Sequence, residues 1–208
     1  MWRMANVSID VAILVVPTPR SDRMRRMRKG IDCCVSSWRR IPDVAMPARV
    51  KTCGNYVNSR FALMEAEEGG YDSAILLTIH GKVSEGTGAN IFLVRNETLI
   101  TPAVTSDILE GITRETLLSS VAEELGIVAC ERDVDRSELY IADEVFLCGT
   151  GQEITPVVSV DGIRVGTGRV GPITRKVQKW FFEVVEGRQS KHMKWLTPVH
   201  DKERSSNK

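Results

Sequence analysis

The sequence has no apolar run long enough to cross a bilayer or to form a full signal-peptide core. The longest run near the start, Val11 to Val16, covers six residues, so neither export nor membrane anchoring is expected. It has no excess of one charge either: Lys+Arg 28 against Asp+Glu 27 leaves a formal net charge of +1. Proteins that bind duplex nucleic acid need a cationic excess to neutralise phosphates, so that class is disfavoured and small-molecule or protein partners are expected. Cysteine supplies no framework, because Cys33, Cys34, Cys53, Cys130 and Cys148 form no CxxC or other zinc spacing and are odd in number. His80, His192 and His200 are scattered without ligand spacing, so no metal is expected. Two glycosylation-type triplets, at Asn6 and Asn96, would matter only in a secreted protein. A reducing, cytoplasmic location is the simplest reading.

What is present is an ordinary globular composition, 42% hydrophobic and 26% charged, over a length that can bury a sizeable core. Residues 7 to 16 alternate and then run apolar, as a strand stopped by Pro17 and Pro19 would. Arg20 to Lys29 is strongly basic and reads as a solvated loop or helix face, with a polyanion-binding patch as the alternative. A second strand is expected over 31 to 40, and a helix over Asn58 to Glu68 with Phe61 and Met64 on one face. Ser73 to Ile79, Ile91 to Val94 and Thr98 to Thr101 then read as a β-meander turning at His80-Gly81 and Asn96-Glu97. Leu117, Leu118, Val121 and Leu125 recur at helical spacing up to a C-cap at Gly126. A strand candidate at 127 to 131, a short helix capped by Ser137, a buried strand at 145 to 148 and a last helix over 173 to 185 follow. Beyond Gly187 the chain turns polar and basic. This mixture predicts an α/β or α+β sheet protein.

Four words in order carry chemistry: Lys51-Thr-Cys-Gly-Asn-Tyr56, Ser84-Glu85-Gly-Thr-Gly-Ala-Asn90, Gly111-Ile112-Thr113-Arg114, and Gly149-Thr150-Gly151-Gln-Glu153-Ile-Thr-Pro156. With Ser36-Ser37-Trp38-Arg39-Arg40 and Gly171-Pro172-Ile173-Thr174, they resemble the fold-type-IV enzymes that use pyridoxal 5'-phosphate, and among these the branched-chain amino acid aminotransferases. The resemblance covers roughly residues 30 to 187 and implies a mixed sheet curled into a partial barrel with helices outside.

It also implies roles. Lys51 matches the amine that forms a Schiff base with the cofactor aldehyde and then shuttles protons, in a partly desolvated site. Read alone, it is a surface cation beside Arg49. Glu85 matches the acidic partner of the pyridine nitrogen; read alone, it is a solvated turn carboxylate. Gly111, Ile112 and Thr113 open a predicted helix, where a phosphate dianion would meet free amides, and Gly149 with Thr150 supplies a second loop over it. Plain helix capping and a plain turn are the alternatives. Tyr56 matches the phenol that lies against the cofactor ring. Arg40 is open between phosphate contact and structural pairing, and Arg114 is equally open.

The implied reaction moves the α-amino group of leucine, isoleucine or valine to 2-oxoglutarate, with an amino acid and a 2-oxo acid as partners and a homodimer as the assembly. D-amino acid transaminases and aminodeoxychorismate lyases share several of these words and stay open as alternatives, as does a catalytically silent family member. Ala89 stands where many relatives have glutamate. The family carries a small N-terminal domain ahead of the segment seen here, so the resemblance assigns 1–30 to an interdomain remnant, 31–187 to the cofactor-binding large domain and 188–208 to a tail. Gly166-Thr-Gly168-Arg-Val-Gly171 satisfies GxGxxG, but no strand with an acidic end follows it, so it reads as a loop and not a dinucleotide site.

Overall fold

The computed structural model describes residues 10–12 and 20–197. The strand expected at 7 to 16 therefore lies outside the described residues except for 10–12, which carry no strand. Helix α1 (Arg20–Lys29) feeds through Gly30 into β1 (Ile31–Arg39), and α2 (Cys53–Glu68) returns the chain to β2 (Ser73–Leu77). Then come β3 (Val83–Gly86), β4 (Asn90–Arg95) and β5 (Thr98–Thr101). Helix α3 (Ile112–Thr116) passes through a π turn (Leu117–Val121) directly into α4 (Ala122–Leu125). Strand β6 (Ala129–Glu131), helix α5 (Glu138–Ile141), strands β7 (Glu144–Gly149), β8 (Glu153–Val160) and β9 (Ile163–Arg164), and helix α6 (Pro172–Val185) complete the order.

The strands form one mixed sheet in the order β3-β2-β1-β8-β7-β4-β5-β6, with β9 paired to β8. Strand β1 runs parallel to β2 and β8, and the β7 pairings are antiparallel. Residues 87–89 alone join β3 to β4, with the Gly86 N–H donating to the Ala89 carbonyl at 2.8 Å in that turn, yet β2, β1, β8 and β7 stand between the two strands in the sheet, so the sheet must curl. This is the curled, partial-barrel arrangement expected. The meander is corrected: β2–β3 and β4–β5 are separate hairpins, and β1, β8 and β7 stand between them.

Period-two alternation explains the layering. On β4, Ile91 and Leu93 enter one core while Phe92 and Val94 enter the other; on β7, Val145 and Leu147 oppose Phe146 and Cys148 in the same way. The first core fills the concave side of the sheet. In the second, Phe92 stacks on Phe146 at 5.3 Å between ring centroids and meets Leu117, Val121, Val177 and Trp180 from the outer helices. With both faces covered, the central strands read as continuous apolar runs. A third, smaller cluster lies under α2.

Helix α2 begins before the expected Asn58 and presents a different face. Its buried residues are the small Asn55, Ser59, Ala62 and Ala66, while Phe61 and Met64 are exposed. Close approach to β1 and β2 leaves room only for small side chains on that side. Helix α6 buries Val177, Trp180 and Val184, while Val185 is exposed. Strands β3 and β8, not foreseen as strands, lie in the words singled out for chemistry. Past Gly187, residues Ser190–Trp195 form a 3₁₀ turn in which His192 is buried, so the polar composition there does not mean an unpacked tail. No helix among the described residues is long and apolar enough to cross a membrane.

Candidate active site

One cavity of about 380 Å³ opens where the ends of β3, β4 and β7 meet the starts of α2 and α3. All the residues singled out as catalytic or cofactor-binding, Lys51, Tyr56, Glu85, Gly111, Ile112, Thr113, Gly149 and Thr150, line it. The structure brings them together from four separate stretches of chain.

Lys51 sits in the turn before α2, exposed to the cavity mouth, and its amine makes no hydrogen bond or ion pair among the described residues. Its neighbour Arg49, also on the cavity wall, is paired, with Nε 2.5 Å from Glu110 Oε1. The expected desolvation of the lysine is not present at this exposed position. The turn is held from inside by Asn55, whose Nδ2 donates to the carbonyls of Pro47 and Val50 at 3.1 and 3.2 Å. Tyr56 follows on the first turn of α2, 40% exposed, with its ring on the cavity wall.

Glu85 lies deep, 6% exposed, on β3. Its Oε1 is 3.1 Å from Arg40 Nη2, and its Oε2 accepts from Asn90 Nδ2 and from the Leu109 N–H, both at 3.1 Å. Burial pushes its carboxyl up to about 7, although Arg40 and the Leu109 amide favour the ionised form. The reading as a solvated turn carboxylate is thereby ruled out. Arg40 is itself buried, with Nε donating to the Asp107 carbonyl at 3.1 Å, so two of its donors serve structural pairing. Arg114 does not line the cavity. It is buried behind α3, donating to Thr101 Oγ1, the Pro102 carbonyl and Glu131 Oε1.

Gly111 is the N-cap of α3 in an extended conformation, and no side chain caps the helix, so its first amides are left for a ligand. A Cβ at Gly111 would come within 2.1 Å of Asn90 Oδ1, which explains why glycine stands there. Thr150 is exposed at the opposite rim, in the turn that joins β7 to β8. Cys148 also reaches the wall, but burial pushes its thiol up and keeps it neutral and unreactive. Sequence reading did not assign Asn90, although it lies inside the quoted Ser84–Asn90 word. Its signal was its place in that word, not any property of a lone asparagine.

The donor set therefore comprises a free primary amine, a buried carboxylate and an uncapped helix start with hydroxyls beside it. That set suits a ligand with an aldehyde, a basic heterocycle and a phosphate, as pyridoxal phosphate has. The GxGxxG stretch lies away from this cavity. Its glycines serve close packing: a Cβ on Gly166 would strike the Asp143 carbonyl at 2.2 Å, and one on Gly171 the Glu144 carboxyl at 2.0 Å. Among the described residues no group of three or more His, Cys, Asp or Glu could hold a metal ion.

Comparison with known proteins agrees with this geometry. Residues 3–160 match the family described as amino-transferase class IV. The chain is 51% identical over 174 residues to a probable branched-chain-amino-acid aminotransferase of Aquifex aeolicus, covering 84% of this chain and 56% of that protein. It is 44% identical to the branched-chain-amino-acid aminotransferase of Salmonella typhimurium, covering 92% of this chain and 62% of that one. Among solved structures, it is similar to the branched-chain amino acid aminotransferase from Thermobaculum terrenum in its PLP-bound form, with TM-score 0.80 and 49% identity over 83% of this chain and 56% of that one. The chain thus spans somewhat over half the length of the relatives it matches.

Proposed function

The chain belongs to the amino-transferase class IV family, and we propose from that premise that its cavity binds pyridoxal 5'-phosphate and serves the transfer of an α-amino group from branched-chain L-amino acids to 2-oxoglutarate. The observation that carries the proposal is the cavity itself, with the unpaired Lys51 amine at its mouth, the buried Glu85 carboxylate at its base and the uncapped start of α3 between them. Pyridoxal phosphate, when bound, supplies an aldehyde that condenses with primary amines and a protonatable ring that draws electrons from the adjacent carbon.

Each residue then has a physical task. Lys51 Nζ would be the amine that holds the aldehyde and, when free, the base that takes the proton from the amino acid's α-carbon and delivers it to the carbon that bore the aldehyde. Glu85, shielded from water, holds the ring nitrogen in its protonated state; in a buried site a directed carboxylate is worth more than in water. The amides of Ile112 and Thr113 hold the phosphate, with the Gly149–Thr150 turn closing over it. Tyr56, on the cavity wall, would lie against the bound ring. We assign this role to the large domain, residues 31–187, in a cytoplasmic homodimer.

The test is an absorbance titration of the purified chain loaded with pyridoxal phosphate. Addition of L-leucine is expected to shift the visible band and, with 2-oxoglutarate, to yield the branched 2-oxo acid. A larger response to D-alanine would remove the substrate assignment, and a chain that develops no visible band would remove the cofactor assignment.

A further inference from the structure

We propose that Arg40 and Asn90 are positioning residues that aim Glu85 and favour its ionised form against the effect of burial, and that Asn90 in addition fixes the distance from Glu85 to the phosphate-holding start of α3. This rests on the proposed function above, since it assigns a task toward the same cofactor. It goes beyond that reading because neither residue need touch the cofactor.

The argument starts from burial. Glu85 and Arg40 are 6% and 4% exposed and 3.1 Å apart. Removing one member of such a pair strands the other charge in a site of low polarizability, so Glu85 would take up a proton rather than remain alone. The arginine is well placed to oppose this, because its second donor is fixed on the Asp107 carbonyl and it cannot swing away without losing that bond. Asp107 is in the left-handed region, φ 55°, and its carboxylate accepts the Asp43 N–H at 2.9 Å, so its peptide is held from two sides. Other groups that act on Glu85 are the Leu109 amide, Arg114 from α3 and the neutral Cys148 thiol from β7. Arg114 is already committed to Glu131, Thr101 Oγ1 and the Pro102 carbonyl, so among the described residues Arg40 is the cation whose guanidinium contacts the carboxylate.

Asn90 works along the other axis. Its single Nδ2 group donates to Glu85 Oε2 at 3.1 Å and to the Leu109 carbonyl at 2.8 Å, while its Oδ1 packs where a Cβ of Gly111 would stand. One side chain thus touches the residue at the ring end of the cavity and the backbone that begins the phosphate end. Because the Leu109 N–H also donates to Glu85, Leu109 is tied to the carboxylate directly through its amide and by way of Asn90 through its carbonyl. A frame of this kind fixes the distance between a carboxylate and a helix start more firmly than loop packing can.

The experiment uses the apo chain labelled with ¹³C-carboxyl glutamate, with the Glu85 signal assigned by its loss in Glu85→Gln. It also measures the affinities of pyridoxal phosphate and of unphosphorylated pyridoxal by absorbance. In Arg40→Met the Glu85 signal is expected to titrate about one pH unit or more above wild type, and both ligands to bind roughly tenfold more weakly, the two being the same energy. Arg40→Lys restores part of the shift. Asn90→Ala is expected to reduce the preference for the phosphorylated ligand at least several-fold, which Arg40→Met does not. Circular dichroism checks that each variant folds; should Arg40→Met not fold, the Lys and Ala variants still decide. Wild type that binds pyridoxal phosphate while the variants titrate and bind as it does overturns the frame and leaves the function standing. Wild type that binds neither ligand overturns the function and, with it, this role.

Discussion

Thr174 donates its backbone N–H to Glu144 Oε2 at 2.7 Å, and Ile173 donates to the other oxygen at 2.9 Å, so a buried carboxylate on β7 caps α6 from another element. Gly171 must lack a Cβ because the Glu144 carboxyl occupies that space. Glu144→Ala is expected to destabilise the fold by about 1–2 kcal/mol, the usual worth of a lost cap. Urea unfolding should show a lower midpoint at unchanged slope, and Gly171→Ala should do the same by displacing the carboxylate. A Glu144→Ala midpoint equal to wild type would show that the cap contributes nothing.

Lys51→Ala should abolish both the visible band and amino transfer while leaving unfolding unchanged, since the side chain is exposed and makes no bond among the described residues. Borohydride reduction of wild type followed by peptide mapping should find the cofactor mass on the peptide that contains residue 51. Mass found on a different peptide would move the site.

Glu85 makes the apo chain's stability fall with rising pH over a defined window. Its folded pKa is raised from 4.5 to about 7 by burial, so between those values the folded state holds a proton that the unfolded chain has lost. Stability from this group is greatest below about pH 4.5 and declines as pH climbs to 7. Relative to Glu85→Gln, wild type should lose about 1–3 kcal/mol between pH 5 and pH 8, on top of a pH-independent offset from the unpaired Arg40. Parallel stability curves for the two proteins would contradict the raised value.

Glu124 has the opposite sign. It accepts from Trp180 Nε1 at 2.7 Å, from Lys191 Nζ at 2.7 Å and pairs with His192 Nε2 at 2.8 Å, which lowers its carboxyl to about 2. The clasp joins α4, α6 and the 190–195 turn. Its contribution is complete above about pH 4.5 and is lost as pH falls toward 2. Glu124→Ala should cost about 1–3 kcal/mol at pH 7, and should raise hydrogen exchange at Met193 to Leu196 before the sheet. Unchanged exchange in that turn would mean the clasp does not hold it.

Much of the site could be read before folding, because Lys51, Glu85, Gly111 to Thr113 and Gly149-Thr150 stand in short words whose order carries the resemblance. Arg40 could not be resolved that way. Its guanidinium serves Glu85 and Asp107, residues far away in sequence, and no local pattern records which partner a long side chain reaches. Helix α2 was misread for a related reason. Phe61 and Met64 promised a buried face, but tight approach to β1 and β2 selected Ala62 and Ala66 instead.

By itself the sequence determined the alternation of elements, the two-sided apolar strands, the turn at Asn96-Glu97 with both residues at positive φ, and the identity of the groups available for chemistry. Those follow from side-chain period and backbone preference, which act over a few residues. The tertiary structure alone decided the strand order, with four strands set between β3 and β4, and the burial that turns Glu85 from an ordinary acid into a shielded one. Each depends on which distant surfaces exclude water from one another, a property of the packed chain and not of any stretch within it.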